Sequence, residues 1–155
     1  EVTAIFLADW ERKDYIPKAN NLVVSPNNSR AKITALINSA QKSLDLEIEI
    51  LQDNKIIELL GNKAKTIPVR IITPPLSKIA SNKFVPGAQM KTLASPYIHA
   101  KLLLVDGERA YIGSVNFSQF SLDKNRELGI IISQPDVIER LSQTFERDWE
   151  TGVIN

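Results

Sequence analysis

The 155-residue chain has no cysteine, which excludes disulfides, thiolate metal sites and cysteine nucleophiles. The compartment stays open, because cysteine-free proteins occur on both sides of a membrane. Long apolar runs are also missing. Those present are short, Leu102 to Val105 among them, far below the roughly 18 to 20 residues of a membrane-spanning helix. Six Gly and eight Pro leave little room for low-complexity sequence, and collagen-like structure and disorder are excluded. With 43% apolar and 24% charged residues, the chain is long enough and apolar enough for one domain with a packed core. Nineteen Lys and Arg against eighteen Asp and Glu leave a net charge of +1, so no global excess argues for nucleic acid or an anionic membrane. There is a single histidine, and no Asp/Glu/His grouping has the spacing of a metal site, so no metal or other cofactor is expected.

The local distribution of charge says more. Between Asn54 and Lys101 stand eight basic residues and one acid, Glu58. This stretch reads either as a solvated basic face or as a place for an anionic partner. Hydrophobic periodicity predicts the order β-α-β-α-β-β-β-β-α, an α/β domain with a mixed sheet and helices on both faces. Leu22 to Val24 read as a buried strand ending at Ser25-Pro26. Ile33, Leu36, Ile37, Ala40 and Leu44 follow a helical period. From Leu44 to Ile50 apolar residues alternate with Asp45, Glu47 and Glu49, a strand with one polar face. Asp53 to Ala64 predict a helix and Val69 to Thr73 a strand; Pro74 to Ala88 lack periodicity and predict a surface loop flanking a ligand site. Strands are predicted at Gln89–Leu93, Ile98–Val105, Ala110–Gly113 and Leu128–Ser133, with a hairpin turn at Asp106-Gly107. A final helix, carrying Pro135 in its first turn, runs through Phe145 and Trp149.

The chemistry concentrates in His99-Ala100-Lys101, Asp106 and Gly113-Ser114-Val115-Asn116. Residues two apart on a strand share a face, so His99 and Lys101 project together, as do Ser114 and Asn116 if the chain stays extended. Imidazole, ammonium, hydroxyl and amide make a site for phosphate: the neutral imidazole attacks phosphorus while the others compensate charge on the non-bridging oxygens. Taken singly, each has an ordinary reading: an exposed His, a strand-end Gly113, turn residues at Ser114 and Asn116.

Together, His99-x-Lys101-x4-Asp106-x6-Gly113-Ser114-x-Asn116 resembles the complete HKD motif of the phospholipase D superfamily. The resemblance extends from the Leu22 strand to the Trp149 helix, and Asn125-Arg126-Glu127-Leu128-Gly129 is similar to the segment that follows the motif in bacterial two-motif members of the cardiolipin synthase type. It implies a phospholipase D-like fold over residues 21–155, with His99 as nucleophile or acid/base, Lys101 and Asn116 on phosphate oxygens, and Ser114 fixing the site. Asp106 and Gly113 are then structural. Glu127 is the expected carboxylate on the far nitrogen of His99. Phe117 and Phe120 either line an apolar approach for lipid or base, or belong to the core.

Such chemistry passes through a covalent phosphohistidine and uses a second imidazole, which this chain lacks. The second unit is expected either as a two-fold-related copy or upstream in a longer parent. Phe6-x-x-Asp9-Trp10-Glu11 repeats the spacing of Phe145-x-x-Asp148-Trp149-Glu150, so residues 1–20 read as a tail carrying the last helix of a preceding unit. The expected activity is hydrolysis or transfer at a phosphodiester, of phospholipid before nucleic acid. The alternatives are a homodimeric nuclease and a noncatalytic binding half.

Overall fold

The computed structural model describes residues 1–79 and 81–154; Ala80, within the expected loop, and Asn155, at the end of the expected domain, lie outside them. Eight strands form one mixed sheet: β1 (Leu22–Ser25), β2 (Leu44–Ile48), β3 (Val69–Thr73), β4 (Gln89–Thr92), β5 (Lys101–Val105), β6 (Arg109–Gly113), β7 (Glu127–Ile132) and β8 (Val153–Ile154). Their spatial order is β1-β7-β6-β5-β2-β3-β4-β8. β2, β3 and β4 are parallel neighbours, and β5 joins β2 antiparallel, with Ile48 opposite Lys101. The helices are α1 (Val2–Trp10), α2 (Ser29–Asn38), α3 (Asn54–Lys63), α4 (Gln119–Asp123) and α5 (Pro135–Thr151). None of them is long and apolar enough to cross a membrane.

Alternation along the strands sends side chains to two cores. Val23, Leu46, Ile48, Ile71 and Leu103 pack with Ile33, Leu36 and Ile37 of α2 and with Ile56 and Leu60 of α3. Ile72, Leu102, Leu104 and Ala110 meet Ile138 and Phe145 of α5 on the opposite face. Ile5 of α1 covers Leu22 and Val24 beside the β1 edge. The polar face expected for β2 is therefore not a solvent face. α5 lies over it, Arg70 pairs with Asp45 at 2.7 Å, and Glu47 is buried.

Local chemistry explains several boundaries. Asp53 caps α3 by accepting from the Ile56 amide at 3.0 Å. In the β5–β6 hairpin, Asp106 and Gly107 both have positive φ, and the Glu108 amide donates to the Val105 carbonyl at 3.0 Å. The Asp106 carboxylate accepts from the amides of Gln41, Lys42 and Ser43, tying this hairpin to the α2–β2 turn. Burial works to raise its pKa, but those three amide bonds hold it below the usual carboxylate range. β5 starts at Lys101 rather than at the expected Ile98, because its partner β2 ends at Ile48, the residue opposite.

Candidate functional site

Just past the end of β2, Glu49 stands beside the segment leading into β5. Its amide donates to the Ala100 carbonyl at 3.2 Å, and its own carbonyl accepts from Asn82 Nδ2 at 2.8 Å. On that fixed base the carboxylate gathers three groups. Oε2 lies 2.6 Å from Lys101 Nζ and 3.3 Å from His99 Nε2, and Oε1 accepts from the Tyr97 hydroxyl at 3.1 Å. Burial pushes the Glu49 pKa up, but the Lys101 ammonium, then the Tyr97 hydroxyl and the His99 ring, outweigh it and leave it below the usual value. Lys101 is only 5% exposed and spends two of its three N–H donors, on Glu49 and on the His99 carbonyl at 2.8 Å. The third has no partner among the described residues and is free for a phosphate oxygen.

The His99 side chain is 76% exposed, and Nδ1 has no hydrogen-bond partner among the described residues. His99 lies outside the strand, so it meets Lys101 through their shared carboxylate rather than by sharing a strand face.

The second half of the constellation is built by close backbone approach. Gly113 of β6 pairs with Gly129 of β7, and the buried Tyr111 ring lies against both. A Cβ at Gly113 would fall 2.5 Å from the Tyr111 oxygen and 2.5 Å from the Gly129 Cα, so neither strand tolerates a side chain here without moving. The space lets the Tyr111 hydroxyl accept from the Val115 amide at 3.0 Å, which fixes the turn between Ser114 and Asn116. Burial pushes the Tyr111 phenol up to about 12, keeping it neutral. Asn116 Oδ1 accepts from the Ile50 amide at 3.2 Å, and the Phe117 amide donates to the Ile50 carbonyl at 2.9 Å. Asn116 is thus tied to the residue next to Glu49. Its Nδ2 has no partner among the described residues and offers two donors to an oxyanion.

Glu127 does not take up the position expected for it. It accepts from Ser114 Oγ at 2.5 Å, Ser121 Oγ at 2.7 Å and Asn125 Nδ2 at 3.2 Å, and so braces the Ser114 turn, while the imidazole contact belongs to Glu49. Its place at the start of β7, next to Leu128, whose backbone pairs with Ser114, sets this arrangement. Phe117 is 1% exposed and belongs to the core with Leu51 and Leu122; its backbone oxygen accepts from Gln52 and Asp53. It lines no approach. Phe120, on α4, is 68% exposed at the rim of a cleft of about 930 Å³ shared with Lys55, Lys83, Ser118 and Lys124.

The basic stretch between Asn54 and Lys101 does not form one face. Arg70 and Lys91 turn toward α5, Lys63 binds carbonyls at the end of α2, and Lys101 is buried in the site. A second, more apolar cavity of about 510 Å³ adjoins the end of β3, lined by Leu76, Asn82, Phe84, Met90, Trp149 and Ile154. Asn82 connects it to Glu49.

Residues 33–149 match the family described as "Cardiolipin synthase, PLD-like domain". The chain is similar to cardiolipin synthase 1 of Staphylococcus epidermidis, with 29% identity over 133 residues, 78% of this chain and 27% of that protein. It is also similar to the 5'-3' exonuclease PLD3 of Xenopus laevis, 32% identical over 109 residues, 63% of this chain and 22% of that protein. It therefore spans about a quarter of the length of the curated relatives it matches. Among solved structures, Nuc from Salmonella typhimurium, described as a phospholipase D family member, superposes with a TM-score of 0.76 at 23% identity, covering 86% of this chain and 95% of that one.

Proposed function

Because this chain belongs to the phospholipase D-like family, we propose that it is one half of a phosphodiesterase or phosphatidyl transferase that works through a phosphohistidine on His99. The observation that carries this reading is the meeting of His99 and Lys101 on the Glu49 carboxylate, with Asn116 bound to the adjacent Ile50 and its amide N–H groups without a partner among the described residues. The imidazole lone pair attacks phosphorus, a P–N bond forms, and the P–O bond to the leaving group breaks. Lys101 and Asn116 donate to the non-bridging oxygens as negative charge builds there. The departing oxygen takes a proton from a second imidazole. That group then accepts a proton from water or an alcohol, whose oxygen attacks phosphorus and releases His99.

The chain has one histidine, so the second imidazole comes from another unit, either a two-fold copy or a preceding unit of a longer parent. Residues 1–20 favour the latter: α1 carries the aromatic pair of α5 with its face bare. The high exposure of His99 is what a half-site facing its complement requires.

Phospholipid is the preferred substrate, supported by the apolar cavity joined through Asn82 to Glu49, which has the lining for an acyl chain. The second reading, a nuclease, is favoured by the cleft that places the exposed Phe120 among Lys55, Lys83 and Lys124, a combination suited to stacking a base and holding its backbone. Headgroup release from phosphatidylglycerol vesicles and cleavage of a single-stranded oligonucleotide separate the two. His99→Ala is expected to abolish whichever activity is found and to remove an acid-labile phosphoryl group trapped on the protein. Full activity in His99→Ala, or full turnover by a strictly monomeric chain, overturns the reading.

A further inference from the structure

The reacting ring presents a physical problem. An imidazole that is 76% exposed has little packing to hold it in one rotamer, and ordering a free side chain costs entropy. A nucleophile must nevertheless be presented within a fraction of an ångström of its line of attack. The carboxylate that resemblance assigns to that task, Glu127, is occupied by Ser114, Ser121 and Asn125. Glu49 has the opposite character. Its backbone is pinned on both sides, by Ala100 and Asn82, and Tyr97 locks Oε1. Oε2 is left in a set position between Lys101 Nζ and His99 Nε2.

We propose that Glu49 is the positioning residue of His99: its Oε2, 3.3 Å from the ring's Nε2 and 2.6 Å from Lys101 Nζ, orients the ring and couples that orientation to the Lys101 ammonium. The inference rests on the reading of His99 as the reacting group. Glu49 does not touch phosphorus; it acts through the ring it holds, as the buried carboxylate of a hydrolase triad does. By sharing Oε2, it also sets the distance between the nucleophile and the cation that receives the phosphate oxygen. Loss of the carboxylate therefore loosens the ring and the ammonium together. Its sequence signal is faint, because Glu49 reads as one more polar residue of an alternating strand.

The single histidine makes the test direct, since the imidazole carbons of the intact chain give one isolated set of NMR signals. In the unaltered chain, ring relaxation is expected to match the rigid backbone. In Glu49→Gln the ring becomes mobile while amide signals away from residues 97–101 stay in place. With bis(4-nitrophenyl) phosphate as probe, kcat falls roughly 10- to 100-fold and KM changes little. Glu49→Asp, which keeps the charge, recovers part of kcat, a rescue that a purely structural role would not produce. A ring already mobile in the unaltered chain overturns the proposal, whatever the variants do, and so does a ring that stays rigid in Glu49→Gln. If no form of the chain turns over a phosphodiester, the functional reading fails while ring order still judges Glu49.

Discussion

The sequence Phe-x-x-Asp-Trp-Glu occurs twice on helices of this protein, and the two copies live in different surroundings. In α5, Phe145 is fully buried and stacks on Trp149 with centroids 5.9 Å apart; Arg70 lies 4.9 Å from one ring and 5.4 Å from the other. Lys91 sits 4.8 Å over Trp149 and donates to its carbonyl. In α1, Phe6 and Trp10 stack at 6.3 Å, but Phe6 is 61% and Trp10 77% exposed. The register is shared one turn earlier as well: Val2 corresponds to Leu141, exposed in the first copy and packed on the core in the second. Helical spacing makes the aromatic stripe in both places. What differs is the sheet face that receives it, so the α5 copy describes the environment that α1 lacks.

The largest expected effect breaks or upholds that contrast outright. Phe145→Ala should cost about 3–5 kcal/mol in denaturant unfolding, through lost burial and the cavity left under Arg70. Phe6→Ala should stay within about 0.5 kcal/mol, as surface substitutions do. Comparable losses at the two positions would mean that α1 is already docked. Next in size is the cation. Arg70 joins the two aromatic rings to Asp45 at 2.7 Å and Glu146 at 2.6 Å, and those two carboxylates raise its pKa, Glu146 most. Its removal in Arg70→Ala should cost about 2 kcal/mol. In the α1 copy Asp9, the counterpart of Asp148, meets Arg126 in an exposed pair, and Arg126→Ala should cost under about 1 kcal/mol.

The same contrast shows which parts of the molecule were legible in advance. α2, α3, α5 and the strands through β7 carry enough residues for a period to register. α4, with five residues, and β8, with two, do not, and they form because tertiary partners receive them. The motif residues His99, Lys101, Ser114 and Asn116 stand out in the sequence because their spacing is local. The carboxylate beside His99 does not. Glu49 lies fifty residues away and becomes a neighbour only because β2 pairs antiparallel with β5 and ends opposite Lys101. Glu127 meets Ser114 in place of the expected ring for a related reason: sequence places it after the motif, and only the β6–β7 pairing turns it onto Ser114. The polar residues of β2 mark a polar face in the sequence, but nothing local announces that α5 will cover it.

That covered face gives the next test. Glu47 is buried with one carboxylate oxygen unpartnered among the described residues, and burial, reinforced by the nearby Asp148 of the α5 copy, pushes its pKa from 4.5 up to about 7. A raised carboxyl pKa means that the folded state favours the protonated form. The stabilisation is complete below about 4.5, declines as the pH rises to about 7, and is level above that. Glu47→Gln should therefore gain stability over the unaltered chain progressively across that window, as read from denaturation midpoints at pH 5 and pH 8.

The smallest effect is spectroscopic, and it bears most directly on what covers α1. The chain has two tryptophans, one in each copy. Trp10→Phe should leave the melting temperature unchanged while removing the component of fluorescence that acrylamide quenches readily, because Trp149 is held between Arg70 and Lys91. If quenching is unaffected by the substitution, Trp10 is already shielded and the two copies are equivalent. If it falls, the α1 face is open in this chain. The same Trp10 signal, followed in a longer chain that includes a preceding unit of this fold, should then become protected to the degree of Trp149, since a sheet face with an arginine over the ring pair and an acid opposite Asp9 would reproduce the α5 contacts.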